Sequence, residues 1–397
     1  MDPLKNPFSP GAGSPPPELV GRDELIERAR VALGRIKHGR QEQSLMLVGL
    51  RGVGKTVLLN RFREMAESEG YSTVMVEVTE SRSLPELLIP ALRRVLFQLD
   101  SAEGTGDRVK RGLRVLRSFI GAIRLKYGDV EVGLDIDPER GAADSGDLEA
   151  DLGELFVALG EAAADRRAAL ALIVDELQYL SEDEMSALIM AVHRISQRQL
   201  PLILIGAGLP QLVGLAGRSK SYAERLFRFP EVGPLGAKDA ADALRGPVLR
   251  EGVDFRDEAL EELIRITGGY PYFLQAWGYH VWSLAKLSPI SLDVVHLANE
   301  VAIRALDESF FRVRFDRLTP REKDYLRALA DLGPGPSRSG DVADRLGVNV
   351  RSIAPLRSGL IRKGMIYGPA HGDTAFTVPL FDQFMRRQMP HWSPPKR

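Results

Sequence analysis

One stretch constrains the chain more than any other. In Leu45–Phe62, LMLVGLRGVGKTVLLNRF, an apolar run breaks into glycines and a lysine, then resumes at helical spacing. Gly49, Gly54, Lys55 and Thr56 satisfy the phosphate-loop signature G-x-x-x-x-G-K-[ST], and Arg51, Gly52, Val53 and Val57 complete the turn. Ser44–Val48 suits a buried parallel strand, and Val57, Leu58, Leu59 and Phe62 make one helix face. Strand, glycine turn and helix are the setting this signature needs. Backbone N–H groups point inward at close range, and the helix N-terminus adds its positive end. Lys55 is then expected to reach the β and γ phosphates and Thr56 to hold Mg²⁺, so the expected ligand is a nucleoside triphosphate.

A second apolar run, Ala169–Val174, closes on Asp175 and Glu176. Two carboxylates at the exit of an apolar strand are costly unless they meet a cation or a catalytic task. Asp175 is read as the residue that completes the metal site, and Glu176 as the one that activates water. The other reading is an acidic helix start. Leu202–Ile205 is a further strand, ending at Gly206. Strands alternating with helical segments predict an α/β doubly wound parallel sheet, whose ligands sit beyond the strands' carboxyl ends.

Composition narrows the class. The 397-residue chain is 44% hydrophobic with a net charge of -1, long enough for two or three domains and without an overall basic character. It has no cysteine, which excludes disulfides, thiolate metal sites and cysteine nucleophiles, and its six histidines are scattered. Residues 1–17, rich in Pro and Gly, read as a flexible tail rather than a signal, and no apolar stretch is long enough to cross a bilayer. The expectation is a cytoplasmic protein with no membrane partner.

These motifs resemble the AAA+ P-loop ATPases, closest to the origin-recognition-complex-like branch and the neighbouring STAND signalling ATPases. Three more stretches carry the likeness: ELVGRDELIERA from Glu18, SYAERLFRF from Ser221 and TGGYPYFLQ from Thr267. The resemblance implies that Val20, Gly21 and Arg22 lie against adenine, that Tyr270 and Pro271 lie near the nucleotide, and that Arg225 reaches a neighbour's γ-phosphate. It also implies ATP with Mg²⁺ and a homo-oligomer formed on ATP binding. Two departures stand out: Gly206, Ala207 and Gly208 replace a polar residue at the end of the third strand, and no arginine opens the lid helix after GGYP. They predict slow or partner-stimulated hydrolysis.

The organisation expected is a P-loop ATPase domain over 18–233, a helical lid over 234–317 and a winged-helix domain over 318–397. Lid helices are expected over Lys238–Leu249, Asp257–Ile266, Pro271–Leu287 and Leu292–Phe315. Residues 101–146 read as an insertion. Its segment Arg108–Lys126 has seven basic residues, no acidic one, and an apolar face of Val109, Leu113, Leu116, Ile120 and Ile123. The alternating stretch from Asp129 to Asp137 reads as an acidic strand that neutralises it; a DNA- or partner-facing basic helix is the other reading.

In the C-terminal segment, Thr319 and Pro320 open a helix, a second ends at Gly347, and Asn349 or Ser352 caps a third, with Pro355, tolerated only in a first turn, arguing for the late start at Ser352. Met365–Val378 reads as two strands around a wing. Residues 318–397 carry thirteen Lys/Arg against seven Asp/Glu, a surplus of 6 on an otherwise acidic body. Candidate DNA contacts are Arg338, Arg351, Ser352, Arg357, Arg362 and Lys363. The reading is an ATPase whose nucleotide state controls DNA binding. The alternatives are a STAND-like switch whose winged helix meets a protein partner, and a scaffold that binds ATP without turnover.

Overall fold

Alternation along four apolar strands builds two hydrophobic layers around one sheet. The computed structural model describes every residue except 12, 102–105, 128–135, 371 and 395–397, with the side chains of 101 and 124–127 also outside the description. After α1 (Asp23–Lys37) come β1 (Ser44–Val48), α2 (Lys55–Ser68) and β2 (Tyr71–Glu77). Helices α3 (Leu84–Ser101), α4 (Asp107–Tyr127) and α5 (Leu148–Asp165) lead to β3 (Ala169–Asp175). Then follow α6 (Glu182–Gln197), β4 (Leu202–Gly208), α7 (Gln211–Ser219), α8 (Ala223–Leu226) and β5 (Phe227–Arg228). The five strands pair in parallel in the order β2-β3-β4-β1-β5.

Leu45, Leu47, Ala171, Ile173, Ile203 and Ile205 face one core, with α1, α2 and the helices that follow the sheet. Met46, Val48, Leu170, Leu172, Val174 and Leu204 face the other, with α3 to α7. Helix α4 belongs to that second layer: Val109, Leu113, Leu116, Ile120 and Ile123 are all buried. Its Arg111 pairs with Glu161 at 2.9 Å and its Arg114 with Glu139 at 2.6 Å. The alternating stretch expected from Asp129 falls, through residue 135, outside the described residues. Among the described residues no helix is long and apolar enough to cross a membrane.

Beyond the sheet, α9 (Ala237–Arg250), α10 (Asp257–Thr267), α11 (Pro271–Leu284) and α12 (Leu292–Leu306) form a helical unit. Proline opens α11 at its first position, where the missing N–H has no helical partner to lose. Phe273, Trp277 and Trp282 are buried, so most of that helix's aromatics are core. The single helix expected over Leu292–Phe315 is interrupted by a π-helical turn at Asp307–Phe311, after which α13 (Arg312–Asp316) resumes.

The C-terminal unit holds α14 (Pro320–Asp331), β6 (Ser337–Arg338), α15 (Ser339–Leu346), α16 (Val350–Arg362), β7 (Ile366–Tyr367), β8 (Asp373–Phe376) and α17 (Phe381–Gln388). Its strands form an antiparallel sheet in the order β6-β8-β7. A capping box between Thr319 and Glu322 starts α14. Helix α16 begins at Val350, not at Ser352. The Asn349 side chain accepts from the Arg351 N–H and fixes the start, and Pro355 is exposed, so the helical bond it forfeits lies where water can replace it.

Residues 1–11, part of the expected flexible tail, lie along α11. The Phe8 ring is buried against Gly278, where an added Cβ would come within 2.7 Å of the ring. The Asn6 amide donates to the Tyr279 carbonyl at 3.1 Å, and the Trp282 indole N–H donates to the Asp2 carbonyl at 2.8 Å. Gly13 then sits beside Thr56.

Candidate nucleotide site

The turn between β1 and α2 is shaped by what surrounds it. A Cβ on Gly49 would lie 2.2 Å from the Val232 carbonyl oxygen, so only glycine lets the loop pass β5's extension. Gly52 has φ +84°, a left-handed conformation that favours glycine, and it lies against Tyr270 and Tyr272. The Tyr272 N–H donates to the Gly52 carbonyl at 3.1 Å, and the Tyr270 hydroxyl donates to the Arg51 carbonyl. Tyr270 thus braces the loop from behind, buried, while Pro271 and Tyr272 face the cavity.

Lys55 is buried and its ammonium donates only to main chain, the Gly49 carbonyl at 2.8 Å and the Leu50 carbonyl at 2.9 Å. No carboxylate forms an ion pair with it among the described residues. Burial lowers its pKa to about 8, against the pull of Glu176 and Asp175. A buried ammonium held by carbonyl dipoles alone is a site prepared for an anion.

Opposite stands a cluster of acids. The Thr56 hydroxyl donates to Asp175 Oδ2 at 2.6 Å, which brings both proposed metal ligands together. Burial raises the Asp175 pKa, with the Thr56 hydrogen bond working the other way. Glu77, adjacent to Asp175 across β2 and β3, is also pushed up by burial and by the charges of Asp175 and Glu176. Such a cluster of hard oxygen donors suits Mg²⁺, which a P-loop holds with few protein ligands and the phosphates themselves. Among the described residues no group of three or more His, Cys, Asp or Glu makes an all-protein metal cage.

Glu176 adopts φ +57°, an uncommon conformation for a non-glycine residue and one that recurs at functional sites. Its carboxylate lines the cavity and lies 3.7 Å from the Arg51 guanidinium. Gln178 supplies a link that the sequence reading did not single out. Its amide N–H donates to Glu176, and its carbonyl oxygen accepts from the Leu209 N–H at 2.9 Å. Glycine at 206 and 208 leaves room for this: a Cβ at 206 would meet Leu177 at 2.3 Å, and one at 208 would meet the Gln178 carbonyl oxygen at 2.9 Å. The apolar end of β4 is therefore where Gln178 docks.

The cavity has a volume of about 580 Å³. From the expected set it is lined by Val20, Arg22, Arg51, Gly52, Val53, Gly54, Lys55, Thr56, Val57 and Pro271, together with Glu176. Gly21, Gly49 and Tyr270 lie behind this lining. Arg22 donates to the Val53 carbonyl at 3.3 Å and the Gly233 carbonyl at 2.6 Å, bracing the loop, and burial lowers its pKa. Ser9, Gly13 and Ser14 from the N-terminal stretch also line the cavity, as do Phe310 and Arg314 from the far side of the chain. Neither group was anticipated, because neither carries a local motif.

Residues 18–205 match the family model described as the AAA ATPase domain. A second model, described as a domain of unknown function (DUF8462), matches residues 308–385. The fold is shared with a Walker-type ATPase of Pyrococcus abyssi, at 17% identity, over 93% of this chain and 96% of that one, with a TM-score of 0.55. Lower-scoring likenesses include the Orc1 protein of Aeropyrum pernix in complex with DNA (17% identity, 96% and 94% covered, TM-score 0.46). Another is the RuvB Holliday junction branch migration motor of Thermotoga maritima (14%, 94% and 96%, TM-score 0.45). No curated protein matches.

Away from the AAA ATPase cavity, Arg225 is exposed and precedes β5, which pairs with the start of β1, so it sits at the end of the sheet opposite its own phosphate loop. In the C-terminal unit Arg338, Arg351 and Arg362 are exposed. Ser352 donates to the Asn349 carbonyl at 2.6 Å. Arg357 donates to Thr374 Oγ1 at 2.9 Å and the Asp373 carbonyl at 2.6 Å, while Lys363 pairs with Glu322 at 2.7 Å.

Proposed function

We propose that the chain is a Mg²⁺-dependent ATPase whose nucleotide state sets the position of a C-terminal winged-helix unit that binds DNA. The carrying observation is the buried, acid-free Lys55 ammonium across from the Thr56–Asp175 pair and Glu176. In this reading the amides of Gly52 to Thr56 and the Lys55 ammonium hold the phosphates. Bound Mg²⁺ would neutralise developing phosphate charge, with Thr56 and Asp175 as its protein ligands. Glu176, exposed to the cavity, orients the attacking water and accepts its proton. Its tie to Arg51 holds the carboxylate in position. Arg225, at the opposite end of the sheet, can serve only a neighbour's site, which is why turnover is proposed to need a homo-oligomer.

The winged-helix reading rests on three helices, a three-stranded antiparallel sheet and the basic surplus of residues 318–397. Of its candidate contacts, Arg338, Arg351 and Arg362 form no ion pair among the described residues, whereas Arg357 and Lys363 are engaged inside the unit. A second reading, the STAND-like switch with a protein partner, is favoured by a different contact. The Arg51 N–H of the phosphate loop donates to the Thr377 carbonyl at 3.3 Å, so the C-terminal unit is seated on the nucleotide loop itself.

One experiment separates the readings. Turnover of the full chain and of Glu176→Gln is measured with and without duplex DNA at low salt. The expected result is hydrolysis that falls on the order of 10²-fold or more in Glu176→Gln and is altered by DNA in the parent. Hydrolysis indifferent to DNA, with no DNA retained, turns the assignment to the switch. Equal turnover in parent and variant removes Glu176 from the mechanism.

A further inference from the structure

We infer that Arg314 is a ligand for the terminal phosphate of the bound nucleotide, supplied by the segment that opens the C-terminal unit. This rests on the reading of the cavity as a nucleoside triphosphate site and names the residue that reports the third phosphate. Arg314 stands outside every motif of the phosphate loop, more than 250 positions along the chain from Lys55.

Three observations converge on it. First, Arg314 lines the same cavity as Arg51, Lys55, Thr56 and Glu176. Its guanidinium donates to the Phe310 carbonyl at 2.6 Å and lies 3.9 Å from the centre of the Phe310 ring. Among the described residues no carboxylate pairs with it. Buried Arg327, by contrast, has the Asp331 carboxylate. Burial, and after it the charge of Arg51, lowers the Arg314 pKa to about 10, as expected of a cation without a counter-charge.

Second, its position along the cavity is defined. The charged and phenolic groups that act on it are Arg51, Tyr272, Tyr179 and Arg317. Arg51 pairs with Glu176 and donates to the Tyr179 hydroxyl at 2.5 Å. Arg314 is therefore assigned, with Arg51, to the Glu176 end of the cavity, where the proposed function puts the attacking water. The group that reaches that end is the last phosphate of a triphosphate, and a diphosphate lacks it.

Third, the residue is held in place. Phe310 stacks on Tyr272 at 4.6 Å and 24°, and Tyr272 is tied by its N–H to Gly52 of the phosphate loop. The π-helical turn at Asp307–Phe311 lies immediately before Arg314, and such turns recur where a helix serves a site. The match to the domain of unknown function begins at residue 308, so the helix that carries Arg314 belongs to the unit it precedes. Engagement of Arg314 by phosphate would pull on that unit directly.

The test compares affinities for a non-hydrolysable ATP analogue and for ADP, each with Mg²⁺, in the full chain. In Arg314→Gln the preference for the triphosphate over ADP should fall by about tenfold or more, with ADP affinity held within about twofold. Arg314→Lys should recover part of the loss, because it returns the charge without the fork. An unchanged ratio in Arg314→Gln overturns the inference. Should that variant not fold, the parent answers by arginine-selective modification with phenylglyoxal read by mass spectrometry. Arg314 should be protected by the analogue and not by ADP, and equal protection by both overturns the inference. Lys55→Ala keeps the two failures apart: retained nucleotide binding there sinks the cavity reading itself, whereas its loss beside an indifferent Arg314→Gln sinks only the role of Arg314.

Discussion

The nucleotide cavity and the C-terminal unit treat buried charge in opposite ways. In the C-terminal unit, Asp331 takes both Arg327 and Arg345, Glu322 takes Lys363 and the Thr319 cap, and Asp382 takes Arg386. In the cavity, Lys55 and Arg314 meet carbonyl oxygens and an aromatic ring, and among the described residues neither pairs with a carboxylate. The effect on ionisation follows. Burial works against the Asp331 and Glu322 carboxylates, yet their partners hold them below the usual range, whereas burial depresses Lys55 and Arg314. A paired buried charge is finished structure. An unpaired one leaves an electrostatic demand that a ligand can meet, so the difference marks where the molecule is waiting for an anion.

The strongest way to break this comparison is to remove the unpaired ammonium. Lys55→Ala should weaken ATP binding on the order of a hundredfold or more while leaving the melting temperature at or above that of the parent, since a buried charge without a partner contributes no stability. Calorimetric titration and a thermal melt check both halves. A variant that melts lower and binds normally would show Lys55 to be structural.

Proton concentration sharpens it next. With a pKa of about 8 in the free protein, Lys55 is charged below that value and progressively neutral above it. Phosphate binds the charged form, so binding above pH 8 must also take up a proton. Apparent ATP affinity should be flat from about pH 6 to 7, then fall by up to roughly tenfold per pH unit above 8. An affinity that stays level to pH 9.5 means that burial has not shifted this lysine.

The smallest effect belongs to the paired region. Asp331→Ala leaves buried Arg327 without its acid and should cost about 1–3 kcal/mol of stability without changing nucleotide affinity. The folded pKa of Asp331 is depressed, so its contribution is complete above the unfolded carboxylate value, about 4, and is lost as pH falls through the folded one. Parent and variant should therefore converge in melting temperature in strong acid.

Much of the sheet domain was legible because its signals are local. The phosphate loop, the Asp175–Glu176 exit and the apolar strands each announce themselves within about fifteen residues, and the strands expected from Ser44, Ala169 and Leu202 begin at those residues. The misreadings came where local signals conflict or are silent. Asn349 capping moved the start of α16 past the objection raised by Pro355, and the run to Phe315 broke at a π turn that no local pattern marks. Gly206 and Gly208 read in sequence only as an absent polar group, and the structure adds that Leu177 and Gln178 fill the space beside them.

By itself, then, the order of residues determined which backbone could cradle phosphate and which side chains stand at its mouth, since a turn of glycines and the two periodicities are properties of neighbours along the chain. Only the tertiary structure decided which cations lack acids, that the N-terminal stretch lies on α11, and that Arg314 shares a cavity with Lys55. Charge compensation depends on which groups the fold brings together, from Arg327 and Asp331 within one helical turn to Arg51 and Glu176 on separate elements, and a window of sequence does not show which cations are left without an acid.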